Sequence, residues 1–174
     1  MQINVSQLLK EPIGEIRDYE VSERINITSD GNTSLVEGNI RFLRTHRGIL
    51  VKGMMNTDVE LNCSRCLSLS HYPVTWNIEE EYIPLVDVES GSPLTPPEDP
   101  GSFTINEHHT LDLTEAIRQY ALLEIPIKPL CNDDCAGLCP NCGHNLNQGL
   151  CECLALTPDP RWSKLNQLQQ GTDK

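Results

Sequence analysis

The chain has 174 residues, a formal net charge of −12, 38% hydrophobic residues, 5% aromatic residues and eight cysteines. That length accommodates one ordinary domain, or one domain with a small metal-held appendage, and apolar residues spread along the chain argue against global disorder. The acidity sits in the middle, where residues 71–125 hold 1 Lys/Arg against 11 Asp/Glu, and this balance excludes the broad basic surface that nucleic-acid phosphates need.

The start of the chain, Met1 to Lys10, lacks the basic residues and apolar run of a secretory signal. No stretch approaches the roughly 20 apolar residues of a membrane span. The expectation is a soluble, cytoplasmic protein without a membrane partner. In a reducing compartment eight cysteines are better explained by metal than by disulfides, with a secreted disulfide scaffold as the weaker alternative.

From Leu35 to Ile83 the apolar positions Val36, Ile40, Phe42, Ile49, Leu50, Val51, Val59, Leu61, Val74, Trp76 and Ile78 recur with a spacing closer to period two than to period 3.6, which predicts strands. Thr57, Val59, Leu61 and Cys63 would share one face, with Asp58, Glu60 and Asn62 on the other. His46-Arg47-Gly48 offers a glycine where a hairpin must turn. Residues 1–83 therefore read as a β-rich domain, an antiparallel sheet or partly closed barrel.

Within it Arg41, Arg44, Arg47 and Lys52, with His46 among them, form a basic cluster, and Arg65 follows; these are the candidate nucleic-acid contacts. A solvated hairpin rim is the favoured reading of that cluster. Glu79-Glu80-Glu81 reads as a solvated strand edge in preference to a catalytic carboxylate site.

Residues 84–102, rich in Pro, Gly, Ser and acid, read as a flexible acidic linker. In residues 103–174 a helix is expected first. Asp112 and Glu115 have capping-box spacing, Leu113, Ala116, Ile117, Tyr120 and Ala121 line one face, and Pro126 stops the run. A short C-terminal helix is expected from Asp159-Pro160, where Trp162, Leu165 and Leu168 recur three residues apart. The expected fold class is α+β: an antiparallel sheet followed by one amphipathic helix, a cysteine-rich zinc-binding segment and a short helix, the last three packed on the β-domain.

The cysteines fall in four tight pairs, Cys63 with Cys66, Cys131 with Cys135, Cys139 with Cys142, and Cys151 with Cys153. Two thiolates on a short turn can reach one zinc ion about 2.3 Å away. Cys139-Pro140-Asn141-Cys142-Gly143 has the form of a zinc knuckle, and Cys151 and Cys153 can close a local four-thiolate site with it. Cys63, Cys66, Cys131 and Cys135 would make a second site across 64 intervening residues, fastening the β-region to the segment after the helix. Two other pairings of the four pairs, and a single shared site, stay open.

Four thiolates close the shell of a zinc ion, whereas a catalytic ion keeps a position for water. His108, His109 and His144 could each replace a cysteine, but an exposed loop histidine is the favoured reading of each. There is no His-Glu-x-x-His, no Gly-x-Ser-x-Gly and no phosphate-cradling glycine loop. No enzymatic activity and no small-molecule substrate are expected. Closely spaced thiolates also hold iron–sulfur clusters or exchange disulfides, so an iron–sulfur or redox protein is an alternative.

Several runs together resemble a known bacterial and plastid family. They are Cys63-Ser64-Arg65-Cys66-Leu67, Leu111-Asp112-Leu113, Ile125-Pro126-Ile127-Lys128-Pro129-Leu130-Cys131, Asp134-Cys135-Ala136-Gly137-Leu138-Cys139-Pro140-Asn141-Cys142-Gly143, Asn145-Leu146-Asn147, Cys151-x-Cys153 and Asp159-Pro160-Arg161-Trp162. This pattern is similar to the YceD-type family, the large ribosomal RNA subunit accumulation proteins, over about Leu35 to Leu168. The resemblance implies a non-enzymatic role in synthesis, processing or stability of 23S ribosomal RNA, hence in biogenesis of the large ribosomal subunit.

The acidic balance suits a partner that is a basic ribosomal protein or an assembly factor better than a broad grip on RNA. A stand-alone RNA-binding zinc module, contacting ribosomal RNA through Arg41, Arg44, Arg47, Lys52 and Arg65, is the alternative.

Overall fold

A computed structural model of the chain describes residues 1–28 and 32–153. The helix expected from Asp159 lies outside them. The chain divides into two compact units, one of Met1–Ser64 with Ser68–Cys131, the other of Arg65–Leu67 with Asn132–Lys174.

The first unit is built on long strands that alternate as their sequences dictate. Strands β2 (Ile16–Ile25), β3 (Ser34–Arg44), β4 (Ile49–Asn62) and β5 (Leu69–Pro84) run as an antiparallel meander. Val21 and Ile25, Val36, Ile40 and Phe42, Ile49, Val51, Met55 and Val59, and Val74, Trp76, Ile78 and Tyr82 all point to the buried face. Thr57, Val59 and Cys63 are buried while Asp58 and Glu60 face out, as period two requires.

Three short strands extend this sheet on the far side of β5: β6 (Thr104–Ile105), β7 (Thr110–Asp112) and β1 (Gln2–Asn4). The order is β1-β7-β6-β5-β4-β3-β2. The β5–β6 pair is parallel, Ile83 opposite Thr104, and the remaining pairs are antiparallel.

This corrects the expected fold class. An α+β layout with an antiparallel sheet followed by a helix is not what forms; the described residues are mostly strand, with 13% helix, and the seven-stranded sheet is mixed and curls into a half-barrel. The physical reason is that residues before Leu35 and after Ser102 complete the sheet. β1 pairs with β7 more than a hundred residues later, with Ile3 opposite Leu111.

Among the described residues two α-helices close the core. Helix α1 (Ser6–Lys10) buries Leu8 and Leu9, and α2 (Thr114–Glu124) buries Ala116, Ile117 and Ala121 and packs on β5. The Tyr120 hydroxyl reaches the Glu80 carboxylate at 2.9 Å. The expected capping box does not form. Leu113 occupies the N-cap position, so Asp112 sits one residue early and accepts from the Thr114 amide at 2.9 Å. Glu115 turns along the helix to Arg118, at 2.7 and 2.9 Å.

At the β3–β4 turn, Gly48 packs so closely on β5 that a Cβ there would collide with the Tyr82 carbonyl oxygen. Between β5 and β6, Val86 bridges Pro93, and Asp87 Oδ1 accepts from the amide and hydroxyl of Ser90, both at 2.7 Å. Those bonds, the Ser90 amide first, hold the Asp87 carboxyl below its usual range.

Among its described residues the second unit has little regular structure. Leu138 bridges Asn145, and a 3₁₀ turn covers Leu146–Gln148.

Candidate metal centres

Among the described residues, two groups of side chains could hold a metal ion. Cys63, Cys66, Cys131 and Cys135 make one, and Cys139, Cys142, Cys151 and Cys153 the other; within each group the Sγ atoms lie within 4.8 Å of one another. A tetrahedral shell with sulfur about 2.3 Å from zinc separates its sulfurs by about 3.8 Å. The donor sets therefore fit such an ion in number, type and span. Neither group includes a histidine.

Each group starts from a Cys-x-x-Cys turn. Cys63 to Ser68 connect β4 to β5, closed by the Cys63 amide donating to the Ser68 carbonyl at 2.9 Å. Ser64 N–H donates to Pro129 O at 2.8 Å. The Arg65 guanidinium donates to the Cys135 carbonyl at 3.0 Å, and Gly137 passes beside Arg65. The residue after the second cysteine, Leu67, has φ 58°.

The second turn is Cys139–Cys142. Its cysteine is gripped from both sides, the Cys139 amide donating to the His144 carbonyl at 2.8 Å and the Cys139 carbonyl accepting from Gly143 N–H at 2.9 Å. Gly143 has φ 73°. The amides of Cys142 and Asn141 face the Cys139 sulfur and, with Cys151, pull its thiol down to about 6. Cys153 is pushed up to about 12, chiefly by its hydrogen bond with Cys142. At Cys151 the pull of the Cys153 amide is outweighed by the hydrogen bond with Cys139 and by burial, and the net shift is upward. Sulfurs in such contact repel one another when ionised, and a shared cation offsets that repulsion.

The groups differ in exposure. Cys63, Cys66 and Cys135 are buried and Cys131 half-buried, whereas in the second group Cys139 is buried, Cys151 and Cys153 are half-buried and Cys142 is exposed. The first group also has an amide partner that the sequence reading missed. Asn147 Nδ2 donates to Cys135 Sγ at 3.3 Å, and Asn147 Oδ1 accepts from Ala136 N–H at 2.8 Å. Only its place in the Asn145-Leu146-Asn147 run could have drawn attention to it.

The candidate nucleic-acid contacts are dispersed into local bonds. Arg41 forks onto Asp18 at 2.7 and 3.2 Å, lowering the Asp18 carboxyl. Arg44 donates to the carbonyls of Thr45 at 2.6 Å, Gly48 at 2.9 Å and Leu9 at 3.2 Å, and so fixes the β3–β4 turn. Arg47 lies 3.8 Å from Glu81, Lys52 lies 2.6 Å from Glu79, and Arg65 belongs to the first cysteine turn.

The acidic run is likewise divided among structural partners. Glu79 goes to Lys52, Glu80 to Tyr120, and Glu81 to the Thr45 hydroxyl at 2.7 Å. Of the three histidines considered as alternative ligands, His108 and His144 are exposed, and His109 is half-buried with φ 55°.

No helix among the described residues is long and apolar enough to cross a membrane. Comparison with known proteins gives a family model described as "Large ribosomal RNA subunit accumulation protein YceD", which matches residues 51–169. An uncharacterised protein of Mycobacterium tuberculosis is 32% identical over 143 residues, covering 78% of this chain and 62% of the relative. An uncharacterised protein of Mycobacterium leprae is 26% identical over 137 residues, 75% of this chain and 57% of the relative. The Arabidopsis thaliana protein named "Large ribosomal RNA subunit accumulation protein YCED homolog 1, chloroplastic" is 26% identical over 159 residues, 78% of this chain and 49% of that protein. The chain thus spans about half to 62% of the length of these relatives. No solved structure matches it.

Proposed function

Because the chain belongs to the YceD family of large ribosomal RNA subunit accumulation proteins, we propose that it is a non-enzymatic zinc protein of large-subunit biogenesis. It supports the synthesis, processing or stability of 23S ribosomal RNA, in the cytoplasm, through contacts with a ribosomal protein or assembly factor. The observation that carries this reading is the family match over residues 51–169, a span that holds all eight cysteines.

The metal's part is structural. Cys63, Cys66, Cys131 and Cys135 would hold one zinc ion and Cys139, Cys142, Cys151 and Cys153 another. Four thiolates per ion supply a closed shell that ties separate backbone segments together and leaves no position for water or substrate. The first ion ties the β4–β5 turn to the segment that follows α2; the second closes the 139–153 loop.

A protein partner is favoured by charge. Residues 71–125 carry ten more acids than bases, and the bases of the β3–β4 region are held by carboxylates and carbonyls, so few counterions would be released on RNA. An acidic surface attracts basic ribosomal proteins and repels phosphate.

Deletion of the gene tests the reading: the ratio of large- to small-subunit ribosomal RNA should fall and be restored by the wild-type chain but not by one lacking a cysteine foursome. An unchanged ratio would overturn it. Affinity capture with and without nuclease separates the partner classes, since loss of every ribosomal partner after nuclease treatment would defeat the protein-contact version.

A further inference from the structure

We propose that Asn147 is a positioning residue that couples the two cysteine foursomes, so that metal in the second strengthens metal binding by the first. The inference rests on the reading that both foursomes hold metal.

The loop that carries Asn147 lies between Cys142 and Cys151, ligand candidates of the second foursome. Its shape is set from there. The 139–144 and 139–143 backbone bonds close the knuckle, Leu138 bridges Asn145, and Leu146 N–H donates to the Gly137 carbonyl at 2.9 Å. Asn145 Oδ1 then accepts from the amide of Asn147 at 3.0 Å and from its side chain at 2.9 Å. The side chain of Asn147, so oriented, reaches out of its own loop to Cys135 Sγ and the Ala136 amide.

Closing the second foursome around a cation shortens the freedom of the 143–150 loop and thereby the freedom of Asn147. An N–H aimed at a thiolate stabilises the charged ligand and fixes its direction, and loss of such an outer partner typically lowers metal affinity by about 10- to 100-fold. A loop that is ordered beforehand no longer has to be ordered when the first metal binds. Coupling of this kind is reciprocal, so the first metal must also favour the second.

The test uses the full chain loaded with cadmium, with one resonance per foursome assigned through the cysteine variants and followed during chelator titration. Asn147→Ala should lower the first foursome's affinity about tenfold or more. Asn147→Asp keeps the acceptor for Ala136 but loses the N–H donor, and should lower it as much; wild-type affinity in that variant would overturn the proposal. Removing the second foursome with Cys142→Ser and Cys153→Ser should weaken the first by a similar factor in the wild-type background and by less than about twofold in the Asn147→Ala background. Equal losses in both backgrounds, or no loss in either, would overturn the coupling alone. A wild-type chain that takes up no cadmium would overturn the metal reading and the coupling with it.

Discussion

Leu67 and Gly143 occupy the same place in two Cys-x-x-Cys turns, one residue past the second cysteine, and both adopt a left-handed backbone, with φ 58° and 73°. The turn geometry that brings two sulfurs together demands this conformation. Glycine adopts it without penalty, whereas a residue with a Cβ loses about 1–2 kcal/mol there. Gly143→Ala should therefore destabilise the knuckle by about 1–2 kcal/mol, and Leu67→Gly, at an exposed side chain, should be neutral or stabilising. Chelator midpoints and denaturant unfolding of the two variants check this contrast, and a loss of stability in Leu67→Gly as large as in Gly143→Ala would contradict it.

Removing the metal should act unevenly along the chain. Residues 132–153 contain one isolated bridge and one 3₁₀ turn, so their order depends on the cysteine shells, while the sheet has its own apolar core. Hydrogen exchange under chelator should show residues 126–153 losing protection before β2–β5. Uniform loss across both would contradict the picture.

The core of the first unit predicts a larger effect. Ile117 is fully buried on α2, and Phe42 is fully buried on β3. Ile117→Ala should cost about 2–5 kcal/mol and Phe42→Ala about 3–5 kcal/mol in urea unfolding. At the surface, Arg41→Ala breaks an exposed, solvent-screened pair with Asp18 and should leave the urea midpoint close to that of the wild type.

Acid titration should reveal the Glu115–Arg118 pair. Hydrogen bonds from Arg118 and then Gln119 hold the Glu115 carboxyl at about 2, below its ordinary 4.5. A depressed folded-state value means that its contribution is complete above about 4.5 and is lost as pH falls toward about 2. Because the pair is solvent-exposed, water screens it and the contribution is small. Glu115→Gln should remove that part of the pH dependence, read as a flatter unfolding midpoint between pH 4.5 and 2.

Much of this was legible in the residues themselves. The alternation from Thr57 to Cys63 reads directly as a strand with one buried face, because burial on one side forces period two. Leu113, Ala116, Ile117 and Ala121 mark the buried side of α2, though Asp112 is shifted out of the N-cap by Leu113. The cysteine spacing marks the four pairs but leaves their partners open, because a short turn fixes only which two sulfurs lie together; the grouping of Cys63 and Cys66 with Cys131 and Cys135, and of Cys139 and Cys142 with Cys151 and Cys153, comes from the fold.

What escaped the reading depends on distant partners. β1 is three residues long and is a strand only because Thr110–Asp112 lie beside it. β2 buries just Val21 and Ile25 among charged neighbours, too sparse a pattern to announce a ten-residue strand. The parallel β5–β6 pair is two residues wide. Asn147 is invisible to spacing rules because its role is a single N–H directed at sulfur.

Native mass spectrometry with metal analysis of the purified full chain tests the central claim most directly. Two zinc ions per chain are predicted, one lost on Cys63→Ser with Cys66→Ser and the other on Cys142→Ser with Cys153→Ser. One ion shared by all four pairs, iron with bound sulfide, or a metal-free folded chain would contradict it.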